Sequence, residues 1–213
     1  MIKIMLVRHG VTAWNGTGKI QGHSNTELAP DGIHQARLLS VYCPFHEVDA
    51  IYSSDLLRAE ATAKILANKF RLKVQTMPEL RETNFGDWEG KVLREIAESD
   101  PQNFEKFFKQ PDRLKIANAE TFLDTQRRAM IALKKIIAAH QEQENPQVIV
   151  VAHGAINRVI LCSVLEIPIR RMWSISQFNT GVNILREDDG HFTVELVNST
   201  AHLGQEIKLR DQF

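Results

Sequence analysis

The chain has 213 residues, 43% hydrophobic and 24% charged, enough for one full core and best read as a single domain over 1–213. Its 26 Lys and Arg balance 26 Asp and Glu, which excludes a global field that would draw it onto nucleic acid or an anionic membrane. Two cysteines, Cys43 and Cys162, exclude a disulfide framework and suit buried thiols in a cytoplasmic setting; the N-terminus lacks a basic leader and no apolar run reaches membrane-spanning length.

Ile2 to Val7 is a short apolar run of the kind buried on both faces of a parallel sheet, and it delivers Arg8-His9-Gly10. The stretch from Gly10 to Pro30 then holds four glycines without periodicity, and a loop that long in a compact domain points to function. Ala50 to Ser53 is a weaker strand. Behind a Ser54/Asp55 cap, Leu56, Ala59, Ala63, Leu66, Ala67 and Phe70 recur at helical spacing. Asn84 to Asn118, with Pro101 and Pro111, breaks the alternation and reads as an insertion, or lid, over one end of the sheet. Its Trp88, Phe104, Phe107 and Phe108 are assigned to packing beneath that lid rather than to a substrate wall. Leu123, Met130, Leu133 and Ile137 mark another helix, and Val148 to Ala152 a buried strand ending in His153-Gly154. Val182 to Arg186 and Phe192 to Val197 flank Asp188-Asp189-Gly190 as a hairpin with Gly at positive φ. Strand and helix alternate, so the class is α/β with a mixed sheet.

Histidines that end two strands stand at the carboxyl edge of a sheet, where α/β folds place ligands. An Arg beside one of them points to phosphate. Moving a phosphoryl group without a metal requires cationic or N–H donors around a nucleophile and a separate acid for the leaving oxygen. His9 can attack through one ring nitrogen if a hydrogen bond from the other, typically to backbone, fixes the neutral tautomer. Arg8 and Arg58 offer forked donors, Arg58 from the first turn of its helix. His153, protonated, adds another, and Gly154 opens the next helix with its amide exposed. Glu82 serves as the acid if an apolar or anionic setting raises its pKa. His23, His34, His46, His140, His191 and His202 lack metal-ligand spacing and default to surface or loop positions, so no metal or cofactor is expected. Gly16-Thr17-Gly18-Lys19 fails as a nucleotide-binding loop, with Ala13 in place of the first Gly and Ile20 in place of the Ser or Thr.

Taken in order, Arg8-His9-Gly10, Asn15, Ser53 to Ala59, Leu80-Arg81-Glu82, Phe85 to Gly90 and His153-Gly154 resemble the histidine phosphatase superfamily, also called phosphoglycerate mutase-like. The resemblance runs from Ile2 to about His202. It implies a three-layer sandwich whose mixed, mostly parallel central sheet is flanked by helices. It further implies His9 as phosphoryl-accepting nucleophile, Glu82 as proton donor, and a phosphate pocket of Arg8, Arg58, His153, Asn15, Gly154, Gln21 and Gly22. The short chain and Ala155 after the second His-Gly depart from the mutases, and Phe85 to Gly90 with Asn198 to Leu203 are similar to phosphatase members, including broad-specificity and α-ribazole phosphatases. Val11 and Asn118-Ala119-Glu120-Thr121 depart from the family's usual residues and bear on substrate preference. The expected function is metal-independent hydrolysis of small-molecule phosphate esters through phosphohistidine, by a monomer or homodimer without nucleic-acid or membrane partners. Phosphoglycerate mutase at the same site and a non-catalytic phospho-ligand binder are the alternatives. Glu82, dispensable for holding an anion, argues against the binder.

Overall fold

The structure, a computed structural model, describes residues 1–206. In chain order it runs through β1 (Ile2–Arg8), a one-turn α1 (Ala13–Gly16), α2 (Pro30–Val41), β2 (Ala50–Ser53), α3 (Leu57–Phe70) and β3 (Val74–Thr76). It continues with α4 (Leu93–Ser99), α5 (Pro101–Lys109), α6 (Phe122–Ala139), β4 (Gln147–Ala152), α7 (Gly154–Val164), β5 (Val182–Asp188) and β6 (His191–Ser199). The strands form one six-stranded sheet in the order β3-β2-β4-β1-β5-β6. The pairs β3/β2, β2/β4 and β4/β1 are parallel, while β5 runs antiparallel to both β1 and β6, so the sheet is mixed as the sequence pattern predicts.

Period-two alternation explains why β1 is apolar throughout. Ile4 and Leu6 point to one face, where they join Val148 and Val150 of β4 and Ala129, Leu133, Ile156 and Val159 of α6 and α7. Met5 and Val7 point to the other, against Ile51, Ile149 and Val151 and against Leu39, Ala63 and Leu66 of α2 and α3. Each such Leu or Ile, removed from water, contributes about 1.5–3 kcal/mol. Among the described residues no helix is long and apolar enough to cross a membrane.

Three local readings are corrected and that of the hairpin is extended. The N-cap of α3 is Leu56, without a side-chain cap; Ser54 Oγ instead accepts from the Leu56 amide at 3.2 Å, and Asp55 is drawn away to Arg81. The buried stripe of α6 is Phe122, Thr125, Ala129, Ala132, Leu133 and Ile136, which leaves Leu123 43% exposed. His140 and His202 are buried, bonded to the hydroxyls of Tyr52 (3.0 Å) and Thr180 (2.9 Å). The hairpin turn has positive φ at Asp189 (48°) as well as Gly190 (83°), the pairing a two-residue turn between right-twisted strands demands.

Register is what positions the site. Arg8 lies opposite Ala152 across the β1/β4 pair, so the residues that follow, His9 and His153, leave the sheet side by side.

Candidate active site

At the carboxyl ends of β1 and β4 lies a pocket of about 130 Å³ lined by Arg8, His9, Asn15, Gln21, Gly22, Arg58, Glu82 and Gly154 among others. His9 is 3% exposed, and its Nδ1 donates to the Gly10 carbonyl at 2.7 Å. That bond fixes the proton on Nδ1 and leaves Nε2 as the basic nitrogen. Nε2 in turn accepts from Arg58 Nε at 3.3 Å. Burial, then the charges of Arg58 and Arg8, hold the imidazole well below the usual histidine range, so it is neutral at pH 7. Its backbone is anchored from two sides, by Ala152 O at 3.0 Å and by Asn179 Nδ2 at 3.0 Å. Gly10 is required by close approach: a Cβ there would lie 2.5 Å from Gly32 O, and its amide donates to the buried Thr62 hydroxyl.

Arg58 is fully buried, donating through Nη1 to Ser24 O and through Nη2 to Gly22 O, both at 2.8 Å. It thereby shapes the glycine-rich loop as well as facing His9. Burial draws it down to about 10, which leaves it charged at neutral pH. Gly22 holds a φ of +51°, and a Cβ there would strike the Glu89 carboxylate. Arg8 donates from Nη1 to Gln177 O at 2.5 Å, and its buried Nε has no hydrogen-bond partner among the described residues. Asn15 spends its Oδ1 on the Thr12 amide (2.9 Å) and hydroxyl (3.0 Å), leaving Nδ2 as its donor. Gln21 is anchored through Oε1 by the Thr26 hydroxyl at 2.6 Å. His153 stands behind the wall rather than in it: fully buried, its ring centroid 5.1 Å from that of His9, both ring nitrogens without partners among the described residues. Burial, with the charge of Arg58 next, holds it well below the usual range, so in this state it is neutral rather than the imidazolium expected from the sequence.

Glu82 is oriented by backbone amides. Its carboxylate caps α7, Oε2 accepting from the Ala155 amide (3.0 Å) and Oε1 from those of Ile156 (3.1 Å) and Thr83 (2.9 Å). Strand β4 and helix α7 therefore carry His153 and Gly154 and also orient Glu82, a convergence of the kind helix N-termini give.

The remainder of the wall was not singled out from sequence. Phe107, assigned there to packing alone, is both buried and part of the pocket wall, together with Ile20, Phe85, Leu93 and Trp173. Arg158 lines it too, 6% exposed, donating to Ile175 O (2.8 Å) and Gly154 O (3.1 Å) and stacked 5.0 Å from the Trp173 ring. Its position one turn after Gly154 on α7 was the available signal, since i and i+4 share a helix face. The 84–118 segment meets the glycine-rich loop directly, Lys19 bridging to Val92 and the Ile20 amide donating to Lys91 O at 2.9 Å.

Comparison with known proteins accords with this geometry. The chain is similar to the metal-independent phosphoserine phosphatase of Arabidopsis thaliana, 32% identical over 204 residues that span 94% of this chain and 83% of that protein. Bacillus stearothermophilus YhfR has the same fold, with a TM-score of 0.90 at 31% identity over 95% of this chain and 100% of that one. A phosphoserine phosphatase variant from Entamoeba histolytica, solved in complex with phosphoserine, gives 0.84 at 30% identity over 95% and 100% of the two chains. Residues 4–200 match the histidine phosphatase superfamily (branch 1), and the chain belongs to that family.

Proposed function

We propose that this member of the superfamily is a phosphatase that hydrolyses small phosphomonoesters in the pocket between β1 and β4, with His9 as nucleophile and Glu82 as proton donor. The observation that carries the assignment is the tautomer of His9: with Nδ1 committed to Gly10 O, Nε2 holds the lone pair. Nε2 attacks phosphorus, the bond from phosphorus to the ester oxygen breaks as the N–P bond forms, and Glu82 protonates the leaving oxygen. Water then attacks the phosphohistidine, Glu82 takes up one of its protons, and the N–P bond breaks to give phosphate and free His9. Charge gathering on the equatorial oxygens is met by Arg8, Arg58, the Gly154 amide and Asn15 Nδ2. The unpartnered nitrogens of His153 lie next in line, and an approaching phosphate dianion favours its protonation.

Among phosphomonoesters, those that also carry a carboxylate fit best, phosphoserine first. Arg8, Lys19, Arg58 and Arg158 line the pocket against the single carboxylate of Glu82, an excess of three positive charges. A phosphate ester brings about two negative charges at most and a carboxylate supplies a third, which favours carboxylate-bearing esters; the ammonium of phosphoserine offsets one of these, so its choice within that class rests on the similar phosphatases. The similar Arabidopsis and Entamoeba phosphatases, named for phosphoserine, support the same substrate. We read the chain as one catalytic domain with residues 84–118 as lid, supported by Phe85, Leu93 and Phe107 in the pocket wall. The free, buried Cys43 and Cys162 suit the cytoplasm.

The test is a covalent trap. Protein turned over with labelled phosphoserine and quenched in alkaline denaturant should carry phosphate on His9 and none on His153, and 3-phosphoglycerate should not be isomerised. His9→Ala should abolish both label and turnover; a variant keeping a tenth of wild-type turnover would sink the mechanism.

A further inference from the structure

We infer that Arg128, paired with Glu120, is a positioning residue for the proton donor: its guanidinium fixes the backbone segment that presents Glu82. The inference rests on the reading of Glu82 above. Arg128 lies on α6 and does not line the pocket. Its guanidinium has five N–H donors in a rigid fork, and each has a partner. Nη1 donates to Glu79 O (2.9 Å) and Arg81 O (2.6 Å), Nη2 to Glu82 O (2.7 Å) and Glu120 Oε1 (2.5 Å), and Nε to Glu120 Oε2 (3.0 Å). Three of the five bonds therefore end on carbonyls within four residues of chain, the last being the carbonyl of Glu82 itself.

That segment overlaps the 3-10 turn Pro78–Leu80 and lies outside any strand. Its carbonyls therefore have no ladder partners and depend on side-chain donors. Glu120 extends the same clamp past Glu82, since Oε1 also accepts from the Asn84 amide at 2.8 Å and its own amide donates to Asn84 O at 3.1 Å. His23 Nε2 donates to Glu82 O from the glycine-rich loop at 2.8 Å. The backbone of the proton donor is thus held by Arg128, Glu120 and His23, while its carboxylate is held by α7. The carboxylate bonds alone leave the main chain free to shift, and displacement of a catalytic group by 1 Å costs on the order of 100-fold in rate.

The test exploits leaving-group chemistry. Phosphoserine expels an alkoxide that needs a proton in the transition state, whereas p-nitrophenyl phosphate expels a stable phenolate that needs one far less. Arg128→Lys keeps the charge but, with three donors on one nitrogen, cannot span the carbonyls and Glu120 together. Glu120→Gln keeps the acceptor for Asn84 and the three carbonyl bonds of Arg128 while weakening the fork, and carries the test if the lysine variant does not fold. Arg128→Lys should lower kcat/KM for phosphoserine by roughly 10- to 100-fold and for p-nitrophenyl phosphate by less than about fivefold, with KM for phosphoserine little changed, and Glu120→Gln should show the same bias at smaller size. Glu82→Gln should show the same bias, larger. A uniform loss on both substrates in folded variants, with the bias of Glu82→Gln intact, overturns the positioning role alone. Absence of bias in Glu82→Gln overturns the proton-donor reading, and the inference with it.

Discussion

Replacing Arg58 by Gln probes the electrostatics of the pocket at one point, because this side chain both faces His9, the proposed nucleophile, and holds the loop around it. It is fully buried, with charge-assisted bonds to Gly22 O and Ser24 O at 2.8 Å each and to His9 Nε2 at 3.3 Å. A glutamine amide keeps at most one of the carbonyl bonds. Bonds to charged groups contribute about 1.5–3 kcal/mol each. Relief of the cost of burying the cation, seen in its fall to about 10, offsets part of that loss. A net destabilisation of about 2 kcal/mol is expected, read as a shift of the urea midpoint at unchanged m. In catalysis, loss of one donor to the developing charge costs about 100- to 1,000-fold. The pH profile carries the sharper signature. Burial comes first and the Arg58 charge second among the causes that hold His9 below its usual range. Removing that charge makes protonation of His9 easier, its midpoint rises, and the acid limb of kcat/KM moves to higher pH because only the neutral imidazole attacks. The assay is kcat/KM for phosphoserine across the acid range for both proteins. A folded variant within about threefold of wild type at neutral pH, with its acid limb unmoved, refutes the reasoning.

Three further outcomes are expected. Burial pushes His202 down to about 4, below the ordinary value near 6.5, so the unfolded chain takes up a proton that the fold resists. Its contribution is complete above about pH 6.5 and is lost as pH falls toward 4, roughly 3 kcal/mol in all, so urea midpoints of wild type should drop more steeply there than those of His202→Gln; parallel curves count against it. Phe107, 4% exposed and 4.7 Å from the Trp173 ring and 5.8 Å from that of Trp88, sits where Phe107→Ala should cost about 3–5 kcal/mol in the same unfolding assay and raise KM. A loss under about 1 kcal/mol would mean that the aromatic cluster closes over the hole. Turnover should be unaffected by a chelator, since Arg8, Arg58 and the Gly154 amide supply the charge a metal would otherwise bring; strict dependence on added divalent cation speaks against the mechanism.

Much of this protein was legible without coordinates, and for local reasons. A strand buried on both faces must be apolar along its length, so Ile2 to Val7 and Val148 to Ala152 announce themselves, and a polar group that follows such a run must emerge at the sheet edge. Arg8, His9, His153 and Gly154 are covalent neighbours of those runs, and Arg58 belongs to the helix whose apolar spacing was plain. Where local chemistry competed with packing, the reading failed: Ser54 and Asp55 looked like a helix cap until Asp55 turned to Arg81, and the stripe of α6 lies about a residue away from the one assigned to it. Tertiary structure alone decided that β1 and β4 are neighbours in a register that sets two histidines 5.1 Å apart. It alone gave Glu82 its amides from α7 and Arg128 its carbonyls, placed Arg158 and Phe107 in the pocket wall, and buried His140 and His202. Those bonds join residues far apart in the chain through side chains whose spacing has no period, and only the folded backbone brings their partners within reach.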